Sequence, residues 1–95
     1  MAGYLIVRIN VKDPKAYEEY KKLAQEAVAK HGGRYLVRGG RTETLEGEKE
    51  TARIVVLEFP SFDQVLNFYH SPEYQQAVAK RKNAATAQFV AAEGA

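Results

Sequence analysis

The stretch ARIVVLEFPSFDQVLNFYHSPEY, residues 52–74, decides the fold of this chain. Its first part, Arg53–Phe59, is largely apolar on both faces, which is typical of a central strand covered on both sides. Pro60 ends this strand. Ser61 and then Ser71 each supply a hydroxyl that can cap the start of a helix. The stretch therefore predicts a central strand followed by two short helices.

The residues before this stretch predict a strand and a long helix. Residues 4–11 alternate between apolar and mixed positions, as a strand with one buried face does. Asp13 is a suitable helix cap, and Pro14 suits the first helical position, where its missing N–H has no partner to lose. The glycines at 32 and 33 end the helix, because glycine adopts the left-handed conformation without steric cost.

A hairpin and a final strand complete the pattern. Residues 34–38 predict a second strand, which two glycines bend and residues 42–46 continue. Residues 47–49 predict the turn that leads into the central strand. Residues 87–92 are short and apolar and predict the last strand.

The element order predicts one α+β domain spanning residues 1–95, a ferredoxin-like β-α-β-β-α-β sandwich. Its four-stranded antiparallel sheet would have the order 4-1-3-2, with the helices on one face. The other face would expose Tyr4, Ile6, Ile54 and Val56. A contiguous apolar sheet face is not normally left in water. We therefore expect a ligand or a partner to cover it, and a homodimer through this open sheet face is the expected assembly.

Composition narrows the functional classes. A domain of 95 residues has a small core, and without cysteine it has no disulfides or thiolate metal ligands to reinforce it. Oligomerisation is the remaining way to stabilise so small a core. The net charge of +2 comes from interspersed charges, which predicts neither a nucleic-acid nor a membrane partner. No signal or membrane-spanning pattern stands at the start of the sequence, so we expect a cytoplasmic protein.

Charged residues on the open sheet face form the first candidate site. Arg8 and Glu58 fall on this face, and a hairpin turning at Glu48 would place Arg38 opposite Glu58. The two arginines could hold a carboxylate or enolate while Glu58 accepts a proton. The alternative is a network of ion pairs that fixes the register of the dimer.

His70 is the second candidate, because it lies between two helices, and histidine is the usual side chain for proton transfer near neutral pH. The alternative is that His70 only satisfies a helix end. Tyr4 and Tyr69 are candidate substrate-binding residues among six tyrosines, for which core packing is the competing explanation.

Four segments resemble the family called domain of unknown function 1330. They are YLVRGGR at 35–41, LEGE at 45–48, VVLEFPS at 55–61 and FYHSPEYQ at 68–75. The resemblance runs through nearly the whole chain and implies a dimeric α/β barrel, in which two ferredoxin-like subunits pack their open sheet faces together. The wider superfamily includes monooxygenases, isomerases, peroxidases and sensing domains, so the fold alone does not decide the function.

Three functions are therefore compared. The preferred one is a homodimer that binds or converts a small organic molecule without a permanent cofactor, by proton transfer or oxygen-dependent oxidation. The second is a non-enzymatic dimeric sensing or scaffold domain. The third is haem binding or degradation, for which His70 is the only reasonable axial ligand and the absence of tryptophan is unfavourable.

Overall fold

The computed structural model describes all residues 1–95. The elements are β1 (Gly3–Val11), α1 (Pro14–Lys30), β2 (Arg34–Arg38), β3 (Arg53–Phe59), α2 (Phe62–His70), α3 (Pro72–Arg81) and β4 (Ala85–Glu93). The strands form one antiparallel sheet in the order β2-β3-β1-β4, with β1 and β3 in the centre. The predicted ferredoxin-like fold and its strand order are confirmed.

The predicted hairpin is wrong in its distal half. Strand β2 ends at Arg38, and residues 42–46 form no strand. The chain leaves the sheet at Gly39, whose φ of 70° is a left-handed conformation that interrupts extended pairing. Residues 39–52 therefore form a loop.

Local hydrogen bonds explain where the helices begin. The backbone N–H of Ala16 donates to the Asp13 carboxylate, and that of Gln64 donates to Ser61 Oγ. Ser71 is buried and acts on both sides of its junction: its hydroxyl donates to the carbonyl of Phe68 at 2.7 Å and accepts from the N–H of Tyr74 at 3.2 Å. The three predicted caps are confirmed, and Ser71 joins α2 to α3.

An aromatic cluster lies at the centre of the core between sheet and helices. The ring of Phe68 packs against Phe59 and Tyr74, with centroids 4.9 and 4.6 Å apart. The buried hydroxyls of Tyr20 and Tyr74 are hydrogen-bonded at 2.7 Å, which satisfies both polar groups inside the core. This cluster connects β3 and all three helices.

The other face of the sheet, here called the open face, is not covered by any helix. One line of directly paired residues crosses all four strands on it: Val37, Val56, Ile6 and Val90. Ile6 is 38% exposed and Val90 47% exposed, whereas their core-facing neighbour Leu5 is 2% exposed. We call these four residues the apolar row.

An acidic side chain connects α1 to α3 and should make stability depend on pH. Lys30 Nζ lies 2.5 Å from Glu73 Oε1, and this hydrogen bond is the main cause that lowers the pKa of Glu73 to about 2. Because this value lies below the ordinary 4.5, the pairing stabilises the fold above pH 4.5. That contribution should be lost as the pH falls towards about 2.

Glu73→Gln should therefore lower the free energy of unfolding at pH 7. Below pH 4.5, the free energy of unfolding of this variant should decrease less steeply with falling pH than that of the unaltered protein. Urea denaturation at a series of pH values measures both effects. Glu26→Gln, at an exposed α1 residue without an ion pair, is the control. Equal pH slopes in the two variants would show that the Lys30–Glu73 pair contributes nothing.

Candidate functional site

A cleft of about 470 Å³ opens between the α2–α3 helix pair and strand β4. Its volume falls within the range of small-molecule sites, roughly 300–1,000 Å³. Most of its wall is apolar, and its lining consists of Leu5, Val65, Leu66, Tyr69, His70, Arg81, Ala87, Phe89 and Ala91. No carboxylate lines it. The cleft is therefore large enough for a small organic molecule and offers its polar groups at only a few points.

Two of the predicted site residues come together in this cleft. His70 is the exposed last residue of α2, and the half-buried Tyr69 packs edge-on against it with ring centroids 5.3 Å apart. The amide of Gln75 donates to the carbonyl of Tyr69 at 2.7 Å, and Ser71 fixes the following junction. The imidazole is thus presented from a rigid helix end.

Arg81 is a cleft residue that sequence reasoning missed. Its position in the last turn of α3 offers a simpler explanation, because positive charge suits a helix C-terminus. Its guanidinium instead lies over the ring of Phe89 at 4.8 Å and near that of Tyr20 at 5.5 Å. Its Nε is buried without a hydrogen-bond partner. The spacing from Tyr74 and Ala77, seven and four residues earlier, would have placed Arg81 on the inward face of α3.

Glu58 is paired within the open face. Its carboxylate accepts hydrogen bonds from Arg34 Nε at 2.6 Å and from the hydroxyl of Tyr4 at 3.2 Å. The hydrogen bond from Arg34 is the main cause that lowers the pKa of Glu58. A carboxylate held in this way is a poor proton acceptor, because general bases work best with a pKa near the operating pH.

Arg38 does not lie opposite Glu58, and the prediction of that pairing was wrong. Arg34 takes the position across from Glu58, while Arg38 pairs with Val55. The register shifts between Tyr35 and Val37, which is a bulge earlier in the strand than the glycines suggested. The one-residue shift turns Arg38 towards the helices, as it reverses the face of every residue that follows.

Arg8 belongs to a separate ion pair on the open face. Its guanidinium donates to both carboxylate oxygens of Glu50, at 2.7 Å for Nη2, and to Gln88 Oε1 at 3.0 Å. Arg8 pairs with Ile54 in the sheet, four residues from Glu58. That offset is roughly 13 Å at about 3.3 Å per residue. This geometry favours the interpretation that Arg8 and Glu58 belong to two independent ion pairs, one with Glu50 and the other with Arg34.

The six predicted site residues therefore occupy three places. Tyr4, Arg8 and Glu58 lie on the open face, and Arg38 lies on the helix-covered side near α1. Tyr69 and His70 line the cleft, on the opposite side of the sheet from Glu58, so Glu58 and His70 share no pocket. No group of three or more potential metal ligands comes together anywhere in the chain.

The fold and the cleft define a ferredoxin-like α+β domain with one uncovered sheet face. The family model described as "Domain of unknown function (DUF1330)" matches residues 2–95, so the chain belongs to this family. No curated protein matches the sequence. None of its helices combines the length and the hydropathy needed to cross a membrane.

Solved structures with low sequence identity share the fold. A protein of unknown function from Rhodopseudomonas palustris is 18% identical, with a TM-score of 0.76 over 99% of this chain and 82% of that one. SnoaB, a cofactor-independent oxygenase from Streptomyces nogalater, is 13% identical, with a TM-score of 0.69 over 99% and 93%. A dimeric ferredoxin-like protein of unknown function from Bacteroides fragilis is 18% identical, with a TM-score of 0.57 over 98% and 96%.

Proposed function

We propose that this chain is a cytoplasmic homodimeric domain that binds or converts a small organic anion in the cleft, without a permanent cofactor. The observation that carries the proposal is the guanidinium of Arg81, a cation without an ion-pair partner that lines a mostly apolar cleft. A buried charged group is costly unless it is paired, and an anionic ligand would supply the missing partner.

The walls indicate what the rest of the ligand is like. Phe89 and Tyr69 have ring centroids 5.7 Å apart and present aromatic surface to the cleft, and aliphatic side chains form the remaining wall. Aromatic pairs of this kind favour a flat, apolar ligand body. A small aromatic carboxylate fits both the apolar wall and the single cation.

His70 is the residue for any proton transfer in the cleft. Its imidazole could take a proton from a carbon or hydroxyl of the ligand, while Arg81 stabilises the resulting enolate or phenolate charge. Oxygen-dependent oxidation of such an anion is the second chemistry proposed. The likeness of fold to the cofactor-independent oxygenase from Streptomyces nogalater is compatible with it.

The alternative function is a dimeric sensing or scaffold domain without catalysis. The two ion pairs on the open face, Arg8 with Glu50 and Arg34 with Glu58, favour a structural role for that face. Both flank the apolar row, which a second copy of the chain would cover. The structural neighbour from Bacteroides fragilis is described as dimeric, which supports dimerisation. Under this alternative the cleft binds an effector and His70 transfers no proton.

Substitution of Arg81 tests the proposed site. With salicylate as probe in isothermal titration calorimetry, Arg81→Gln should weaken binding at least about tenfold, because a charge-assisted hydrogen bond contributes about 1.5–3 kcal/mol. Lys80→Gln removes the same charge from the neighbouring residue, which does not line the cleft, and should leave the affinity unchanged. Arg81→Lys keeps the charge and should bind with intermediate affinity.

Equal salicylate binding by the Arg81 and Lys80 variants would contradict the site, as would the absence of saturable binding to the unaltered protein. His70→Ala separates the two functions. If the protein is an enzyme, His70→Ala should abolish turnover of a bound substrate while leaving its affinity within a few-fold of the original.

A further inference from the structure

A second, smaller cavity lies inside the sandwich on the other side of Leu5 and Phe89, which line both cavities. It has a volume of about 40 Å³ and is lined mainly by core residues of the sheet and helices. The polar residues of α1, β2 and β3 that contribute to its wall include Tyr17, Tyr35, Arg38 and Arg53. The proposed function uses none of these four residues.

The charges around this cavity are unbalanced. Three cations line it and no carboxylate does. Lys21 is paired with Glu18 at 3.0 Å, whereas neither Arg38 nor Arg53 forms an ion pair. Arg53 is half-buried, and its Nε is buried without a hydrogen-bond partner. Arg38 lies over the ring of Tyr35 at 4.1 Å and donates to Gln25 Oε1 at 2.9 Å, which leaves further N–H groups free.

Two phenols accompany the arginines. Burial raises the pKa of Tyr17 and also that of Tyr35. The positive charges of nearby arginines, chiefly Arg53 at Tyr17 and Arg38 at Tyr35, oppose this rise in pKa. Both phenols are therefore neutral at pH 7 and can donate a hydrogen bond from an O–H group. The wall of the cavity combines positive charge with hydrogen-bond donors, which is the chemistry of an anion site.

Gly39 leaves room for the guanidinium of Arg53. A Cβ atom on Gly39 would collide with the guanidinium group, and the φ of 70° also favours glycine there. The N–H of Gly39 donates to the carbonyl of Ile54 at 2.9 Å, which holds this backbone against β3. The backbone at Gly39 therefore packs closely against the guanidinium of Arg53.

The volume of the cavity limits the size of the ligand. A cavity needs about 10–15 Å³ of this kind of volume for one water molecule, so about 40 Å³ holds roughly three non-hydrogen atoms. A carboxylate group has three such atoms in a plane, and the planar fork of arginine matches it in a bidentate manner. We propose that Arg38, Arg53, Tyr17 and Tyr35 form a binding site for a small carboxylate, separate from the cleft at Arg81.

Sodium formate is the probe for this site. In isothermal titration calorimetry at constant ionic strength, with chloride as the replaced anion, the unaltered protein should bind formate saturably. Arg53→Gln should weaken this binding at least about tenfold. Arg41→Gln, at an exposed loop residue that does not line the cavity, should leave it unchanged. In ¹H–¹⁵N NMR spectra, formate should shift the amides of Gly39 and Tyr17.

Equal formate affinity in the Arg53 and Arg41 variants would overturn the proposal. So would amide shifts confined to Ala87 and Ala91, which line the cleft but not this cavity, or phosphate binding as tight as that of formate, since phosphate is too large for the cavity. If Arg53→Gln fails to fold, Arg38→Gln replaces it at an exposed position and should show the same loss. Arg81→Gln should weaken formate binding far less than Arg53→Gln, because Arg81 does not line this cavity, so the two proposed sites can fail independently.

Discussion

Ile6→Asp should prevent formation of the dimer that we propose. Ile6 lies in the middle of the apolar row, between Val56 and Val90 on the neighbouring strands. In a twofold-symmetric dimer each substitution occurs twice, so two like charges would enter one interface. Burying an unpaired charge costs several kcal/mol. The association constant should therefore fall at least about a thousandfold, which sedimentation velocity measures directly.

Val11→Asp is the matched control for the dimer. Val11 lies on the same strand as Ile6 and is similarly exposed, at 36%, but its side chain alternates to the opposite face. This variant should sediment as a dimer. The proposed assembly would be contradicted if the unaltered protein were a monomer at micromolar concentration, or if Ile6→Asp remained dimeric. Far-ultraviolet circular dichroism should be unchanged in both variants.

The monomeric variant also separates the interface from the cleft. The open face and the cleft lie on opposite sides of the sheet, and none of the cleft residues belongs to the apolar row. Salicylate should therefore bind to the Ile6→Asp monomer with nearly the affinity of the unaltered protein. A large loss of affinity would show that dimerisation is required to form the ligand site.

Phe68→Ala should cause the largest loss of stability. Phe68 is 1% exposed and packs against Phe59 and Tyr74 in the aromatic cluster. Truncating a buried aromatic ring removes its burial and leaves a cavity, which together cost about 3–5 kcal/mol. A small domain has only about 5–15 kcal/mol in total. The urea midpoint should fall accordingly, measured at fixed protein concentration because the proposed dimerisation would also contribute.

Leu45→Ala provides the comparison for Phe68. Leu45 is 89% exposed in the loop between β2 and β3, so its truncation should change the free energy of unfolding by no more than about 0.5 kcal/mol. A loss at Phe68 as small as that at Leu45 would show that the aromatic cluster is not the centre of the core. A loss at Leu45 comparable to that at Phe68 would show that this loop residue is buried in the assembled protein.

The candidate site shows which of its residues local sequence patterns can predict. His70 was recognised from its position between two predicted helices and Tyr69 as one of the six tyrosines, and the structure places both in one cleft. Arg81 was missed although helical spacing places it beside Tyr74, because its position near a helix end offered a simpler explanation. Arg38 was assigned to the wrong face because a bulge between Tyr35 and Val37 has no clear signature in the sequence.

The sequence by itself determined the order of the helices and strands and the uncovered sheet face, but not where β2 ends. Alternation, capping residues and glycine positions act over a few residues, so they can be read from neighbours along the chain. Only the tertiary structure decided that Glu58 pairs with Arg34, that Glu58 and His70 lie on opposite sides of the sheet, and that Arg81 lines a cleft. These facts depend on strand register and on contacts between residues far apart in the chain, and a shift of one residue reverses a face.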